Sequence, residues 1–420
     1  MARVPWPRGL DRLRGRFHFW LPSPLLILGE VFARLSSFVT VLLVVRTTGL
    51  STYGDLAIAL VILDYQLLLG DLGFSQVATR EIARNPDEAR SLRARVTRMR
   101  VPTTLVATAF GLVVAFAAPG LEPAARDAIV VAAFGALSIL IFTEWALIGL
   151  GRNGAAGLAR AVTSGSFLVL AVAVTTLPDA GAVEFAGARV VSLTLGAALT
   201  WYLAARFLAG RRPATISRGA MVRMAVQLGL AALFVRVYNT VDTIILGLFR
   251  PAEEVGAYRA AYAIVLTPLG LIYLLNTVLL PRFSALHAAD VAAFARAARR
   301  FVRIGTLLSI VPAAVVAVTA PALVPFLLGD DVGKTPELVR LLSPVIVLDF
   351  WVSAYALSFV AAGRTRVLLT GASAAAVVNV ALNFALVPDF GAEGAVVATM
   401  VSYGVLISTY WIRSRTLESS

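Results

Sequence analysis

The chain of 420 residues contains no cysteine, which excludes disulfides, thiolate metal sites and cysteine nucleophiles. It has two histidines, His18 and His287, and both lie outside the apolar runs. No histidine relay can therefore carry protons across those runs, and any such relay must use carboxylates. Lysine is nearly missing as well, with Lys334 alone. Charged residues make up only 15% of the chain, against roughly 25% in an ordinary soluble domain. There is no Walker motif, no H-E-x-x-H and no nucleophile elbow, so nucleotide hydrolysis and hydrolytic catalysis have no residues to rest on. The run Gly149-Leu150-Gly151-Arg152-Asn153-Gly154 matches G-x-G-x-x-G but joins two apolar stretches and follows no strand, so it reads as a turn. No short apolar core followed by small residues suggests a signal peptide. No metal or cofactor is expected, and the chain is not expected to be an enzyme.

What is present is apolar sequence: 59% hydrophobic residues and a mean hydropathy of +0.84. Stretches of about 20 residues, the length that spans a bilayer, recur near 23–46, 54–74, 98–119, 127–150, 156–177, 185–208, 222–249, 256–280, 301–322, 337–361, 365–387 and 392–412. An all-α integral membrane protein with twelve transmembrane helices is the expectation. The basic segments 75–97 and 283–300 carry periodic apolar residues (Val77, Ile82, Ala89, Leu92; Leu286, Val291, Phe294) and read as amphipathic helices lying on the membrane surface.

The net charge of +13 would suggest nucleic acid in a soluble protein, but its distribution points to topology instead. Arginines fall in the N-terminus and in alternate loops (80–100, 206–223, 282–303, Arg364/Arg366, Arg413/Arg415), while the other loops are acidic or balanced (Glu122, Asp179, Glu253, Glu254, Asp330, Asp331, Asp389). The positive-inside rule makes the first set, and both termini, cytoplasmic in a plasma (inner) membrane protein. The organisation is then a basic N-terminus (1–22), an N-lobe (23–208), a linker rich in Pro, Gly and Arg (209–221), a C-lobe (222–412) and a cytoplasmic tail (413–420).

The two halves echo one another. A constant offset of 202 pairs Arg34 with Arg236, Gly54 with Gly256, Arg80 with Arg282, Arg98 with Arg300 and Pro119 with Pro321. Near an offset of 210 the echo resumes, Pro178-Asp179-Ala180-Gly181 with Pro388-Asp389-Phe390-Gly391 and Trp201 with Trp411. This is a duplication giving two pseudo-symmetric six-helix lobes.

Charges inside apolar spans carry the most information, because each costs roughly 2.5–3.5 kcal/mol at mid-helix and cannot face lipid. The expected set is Glu30, Arg34, Asp64, Glu144, Arg236, Asp242 and Asp349. Glu30 and Arg34 are four apart and can pair. Arg236 has no acid at i±3 or i±4, which leaves it a cation to offer to an anion. On the same helix Arg236, Asn239, Thr240 and Thr243 form one polar stripe, with Tyr238 and Asp242 a second, so this helix is expected to line a wet cavity. Asp64 and Asp242 are candidate sites for a coupling H+ or Na+. Glu144 and Asp349 lie near span ends and read as packing or interfacial groups. Asn276, Asn379 and Asn383 could bond sugar, though amides between membrane helices more often join helices.

The stretches ARLSSFVTVLLVVRTTGLSTYGDLA, DLGFSQVATREIAR, VDTIILGLFRPAEEVGAYRAAY, LLPRFSAL, AAGRTR and NVALNFALVPDFGAEGAVVATMVSY resemble the multidrug/oligosaccharidyl-lipid/polysaccharide (MOP) exporter superfamily, and within it the polysaccharide and O-antigen flippase branch. The resemblance implies a MATE-like fold whose two lobes enclose a central cavity and rock between inward- and outward-open states. It also implies a substrate, undecaprenyl-diphosphate-linked oligosaccharide moved from the inner to the outer leaflet, and a polysaccharide polymerase as downstream partner. Arg34 and Arg236 are expected to face one another across the cavity and hold the diphosphate. A multidrug/cation antiporter of the same superfamily, a polyprenyl-dependent glycosyltransferase and a non-transporting scaffold remain as alternatives. The short outer loops speak against the glycosyltransferase, which needs an acidic motif in a large one.

Overall fold

A computed structural model describes residues 24–208, 210, 212–267 and 269–415. The basic N-terminus (1–22), Pro268 and the end of the tail (416–420) lie outside the described residues. Helix α1 (Pro24–Asp71) is a pair of crossings joined at Gly49, whose φ of 83° admits only glycine without strain. Then follow α2 (Phe74–Arg84), α3 (Ala89–Ala117), a broken crossing made of α4 (Pro123–Gly135) and α5 (Glu144–Gly149), α6 (Asn153–Val174) and α7 (Ala182–Phe207). The second half contains α8 (Arg218–Phe249), α9 (Ala252–Leu266), α10 (Leu269–Ala289), α11 (Val291–Leu328), a second broken crossing of α12 (Thr335–Leu342) and α13 (Val345–Ala361), and α14 (Thr365–Ser414), a double crossing turned at Gly391. Among the described residues nine helical stretches are long and apolar enough to span. Two of these cross twice, and α9 with the start of α10 supplies one more, which gives the twelve expected crossings in two lobes. Helices are the required solution, since lipid offers no partners to backbone N–H and C=O groups.

The surface-helix expectation needs correction. Only α2 is a separate short helix; residues 89–97 and 291–300 are the first turns of α3 and α11, and 283–289 the end of α10. The reason is burial: Val77, Ile82, Ala89 and Leu92 are fully covered against Trp145, Leu147 and Met221, and Phe294 packs on Phe283 and Leu357. Their periodicity marks helix–helix cores rather than a membrane-facing stripe.

The break between α4 and α5 also departs from the expected straight helix at 127–150. Arg100, counted by sequence among the surface basics, is fully buried there; its Nη1 donates to Ile139 O at 2.9 Å and Phe142 O at 2.7 Å, carbonyls that lack intrahelical partners. Its Nε donates to Asp71 Oδ1 at 3.0 Å and Nη2 reaches Ser75. A guanidinium thus replaces the missing helical N–H donors.

The lobes meet most tightly at the acidic face. A Cβ on Gly54 would lie 1.8 Å from Ala252 O, and one on Gly256 1.9 Å from Leu50 O. Positions 50 and 252, like 54 and 256, differ by the repeat offset of 202. Each half therefore makes the same backbone contact with the other, and the pseudo-two-fold axis passes between the two glycines. Glu122 accepts from Ala252 N at 3.1 Å beside them, and Arg46 donates to Phe326 O across the same seal.

Candidate functional site

Below that seal lies a central cavity of about 2150 Å³. It runs from Thr240, Arg259 and Tyr262, two to three turns from the acidic ends of their helices, to Pro281, Ala289 and Thr365, at the ends of helices that lead into arginine-rich loops. The cavity therefore opens on the arginine-rich side. Its wall is unequal: the N-terminal lobe supplies Arg34, Leu68 and Gln76, and the C-terminal lobe supplies the rest.

Arg34 and Arg236 both line it. Neither stands alone. Arg34 pairs with Glu30 (Nε to Oε1 2.9 Å), and the other oxygen of Glu30 accepts from Arg160 Nη1 at 2.9 Å, which in turn binds Glu144 (Nε to Oε1 2.8 Å). Glu144, taken from sequence as a packing or interfacial group, thus ends a four-membered chain of alternating charge through the N-terminal lobe. Arg236, expected without a counter-ion, meets Asp64 at 3.2 Å across the lobes, both about 40% exposed. The spacing rule looked only along one helix, whereas this acid is brought in by the fold from another crossing. Beside it the Tyr65 hydroxyl donates to Arg236 O at 3.3 Å and accepts from Thr240 at 3.3 Å.

Of the two stripes assigned to α8, Arg236, Tyr238, Asn239 and Thr240 line the cavity. Thr243 and Asp242 do not. Both are fully buried within the C-terminal lobe, where Asp242 Oδ2 accepts from Tyr258 at 2.6 Å and Oδ1 from Thr243 N at 2.7 Å. One turn beyond Thr240 the cavity has ended, so the stripe continues into protein. Asp64, the other candidate for a coupling ion, is about 40% exposed and held in the ion pair with Arg236. Asn276 lines the cavity; its Nδ2 donates to Ser353, while Oδ1 is buried with no partner among the described residues. Asp349, assigned to a span end, lies on the wall and accepts from Tyr403 at 3.1 Å.

Sequence reading missed Arg160 and Arg259. Arg259, two turns into α9, lines the cavity, and its buried Nε has no hydrogen-bond partner among the described residues. The ring of Tyr262 lies 6.0 Å from its guanidinium carbon. The signal is present in the sequence, since both arginines sit inside apolar spans.

Residues 24–287, well over half the chain, match the family described as polysaccharide biosynthesis protein. The chain belongs to that family. No curated protein sequence matches it. Among solved structures, this polysaccharide biosynthesis family member is similar to the lipid II flippase MurJ in an inward closed conformation (TM-score 0.74, 12% identity, 94% of this chain and 88% of that one). It is also similar to a multidrug resistance MATE transporter of the MOP superfamily in an inward-facing conformation (TM-score 0.68, 19% identity, 94% and 95%), and to such a transporter in an outward-facing conformation (TM-score 0.55, 16%, 99% and 100%). The fold is thus the one that these multi-pass membrane transporters share.

Proposed function

We propose that the protein is a flippase that carries an undecaprenyl-diphosphate-linked oligosaccharide from the inner to the outer leaflet of the plasma membrane by alternating access. The observation that carries this reading is the set of three arginines, Arg34, Arg236 and Arg259, on the wall of one cavity, of which Arg259 makes no ion pair within hydrogen-bond reach among the described residues and keeps a buried Nε unbonded. A guanidinium fork matches phosphate oxygens in two parallel bonds, and the unbonded Nε of Arg259 is a donor that an anion could satisfy. The volume of about 2150 Å³ exceeds the 300–1,000 Å³ typical of drug-sized pockets and suits a sugar chain. With the arginine-rich loops and both termini cytoplasmic, the cavity faces the leaflet where the substrate is made. An inside-negative potential then favours outward movement of the anion by roughly 2.3 kcal/mol per charge per 100 mV. A polysaccharide polymerase would consume the product. Asp242 and Asp64 remain the proposed sites for a coupling H+ or Na+, Asp242 through its enclosed oxygen cluster and Asp64 through exchange with Arg236.

A multidrug antiporter is the second reading, favoured by Asp349 on a wall that also carries Tyr262, Tyr403 and Tyr410, a surface suited to organic cations. Transport of lipid-linked oligosaccharide into reconstituted vesicles separates the two. Arg259→Ala is expected to cut transport at least tenfold, Arg259→Lys to restore it in part, and the Arg34→Ala/Arg236→Ala double variant to abolish it. Undiminished transport in these variants, with cation export lost in Asp349→Asn, would move the drug reading to first place.

A further inference from the structure

A second cavity, of about 710 Å³, lies between α11, α13 and α14 and shares no lining residue with the central one. It belongs to the lipid-facing wall of the C-terminal lobe, where Leu307 is 68% and Trp411 49% exposed. Its upper part is largely apolar, formed by Leu307, Trp351 and Ile407. The Trp351 indole N–H donates to Thr306 Oγ1 at 2.7 Å, so this polar group is satisfied inside the wall and requires nothing from an occupant. The lower end reaches Arg303 and Trp411, at the level where α11 and α14 run into arginine-rich segments.

Charge distinguishes this trough from ordinary lipid-facing surface. Among the described residues no carboxylate pairs with Arg303. Arg415 lies over the Trp411 ring at 4.0 Å and adds a second guanidinium at the mouth. An apolar channel that ends in two guanidinium groups and an interfacial indole has the order of parts of one lipid molecule, an acyl chain leading to a phosphate. We propose that the trough binds an anionic phospholipid of the arginine-rich leaflet, its phosphate on Arg303 and Arg415 and one acyl chain along Leu307 and Trp351.

The test uses the purified full chain, delipidated in detergent and titrated with phosphatidylglycerol, phosphatidylcholine or a polyprenyl phosphate under native mass spectrometry. Phosphatidylglycerol is expected to be retained over phosphatidylcholine by about fivefold for each arginine engaged, and Arg303→Ala to remove about that factor. Because Arg303 is exposed, its replacement leaves the fold intact. Phosphatidylglycerol brominated on its acyl chains should quench tryptophan fluorescence, and Trp351→Phe should remove a large share of that quenching. Equal retention of both phospholipids, a preference untouched by Arg303→Ala, or quenching indifferent to Trp351 would overturn the proposal. Tighter retention of polyprenyl phosphate than of phosphatidylglycerol would also overturn it, assigning the trough to a different lipid. Transport is not measured, so the outcome is independent of what the central cavity carries.

Discussion

Two seams join the lobes on opposite sides of the central cavity, and the repeat makes them equivalent. In the first, the second arm of α1 runs along α8. In the second, α9 and α10 run beside the first arm of α1. The first seam is zipped along its length: Ile58 fills the space at Gly247, Asp64 binds Arg236 at mid-depth, and at the arginine-rich end a Cβ on Gly73 would lie 2.5 Å from Ala225 O. Applying the offset of 202 to the ion pair turns Asp64 and Arg236 into Leu266 and Arg34. Those two residues make no ion pair with each other and both border the cavity. The arginine stands in both copies of the repeat, but an acid at the position of Asp64 stands in only one. Symmetry therefore gives the scaffold, and a single carboxylate distinguishes the seam tethered by an ion pair from the one beside Arg34 that has none across it.

The seal that both seams share should be the most sensitive point. Gly54→Ala or Gly256→Ala would push a methyl into a carbonyl oxygen at under 2 Å, and backbone cannot step aside as a flexible side chain can. The expected result is a protein that inserts but cannot close its acidic face. An impermeant thiol reagent, applied to a single cysteine at Leu50 in the otherwise cysteine-free chain, should react severalfold faster in either variant than in its parent. Unchanged reactivity would mean that the glycine contact does not close the seal.

The tether comes next. Asp64→Asn and Arg236→Ala each remove one ion pair between groups that are about 40% exposed, so the expected loss is within about 1 kcal/mol of seam stability. Exchanging the charges, Asp64→Arg with Arg236→Asp, should restore the seam, read as the distance between spin labels placed on α2 and near the start of α8. The same exchange should leave transport impaired, because it moves the guanidinium to the other lobe. Recovery of transport together with the seam would show that Arg236 serves only to hold the lobes.

The crossings and the duplication were legible because they follow from chain-local physics: apolar length and repeated spacing. That Arg34 and Arg236 line the cavity was legible from the same repeated spacing. Asp64's role was not, since its partner is 172 residues away and no helical period connects them. Asp242 looked like a cavity acid because periodicity says which residues share a face, but not where along that face the cavity ends. Arg100 was lost among surface arginines because a basic run and a buried arginine at its end look alike until the broken helix that needs its donors is seen. Arg259 has alanine, Ala57, at its repeat equivalent, so weighting the paired arginines drew attention away from it.

The smallest expected effect is also the sharpest test of the two-seam comparison: Leu266→Asp, which supplies the carboxylate that the second seam lacks. Leu266 is 37% exposed and borders the cavity, so the new charge meets water rather than lipid and avoids most of the insertion cost. Arg34 can turn toward it without stranding Glu30, because Glu30 keeps its bond to Arg160 at 2.9 Å. A half-exposed ion pair of this kind contributes about 0.2–1 kcal/mol, enough to shift the balance of seam positions up to about fivefold. Spin labels at Leu28 and His287 should then show a shorter mean distance across the second seam, and transport should slow by a similar factor. Arg34→Ala added to Leu266→Asp should return the distance to its parental value, since the introduced acid then has nothing to hold. If Leu266→Asp leaves the distance unchanged while the protein is folded, the missing carboxylate is not what lets that seam part.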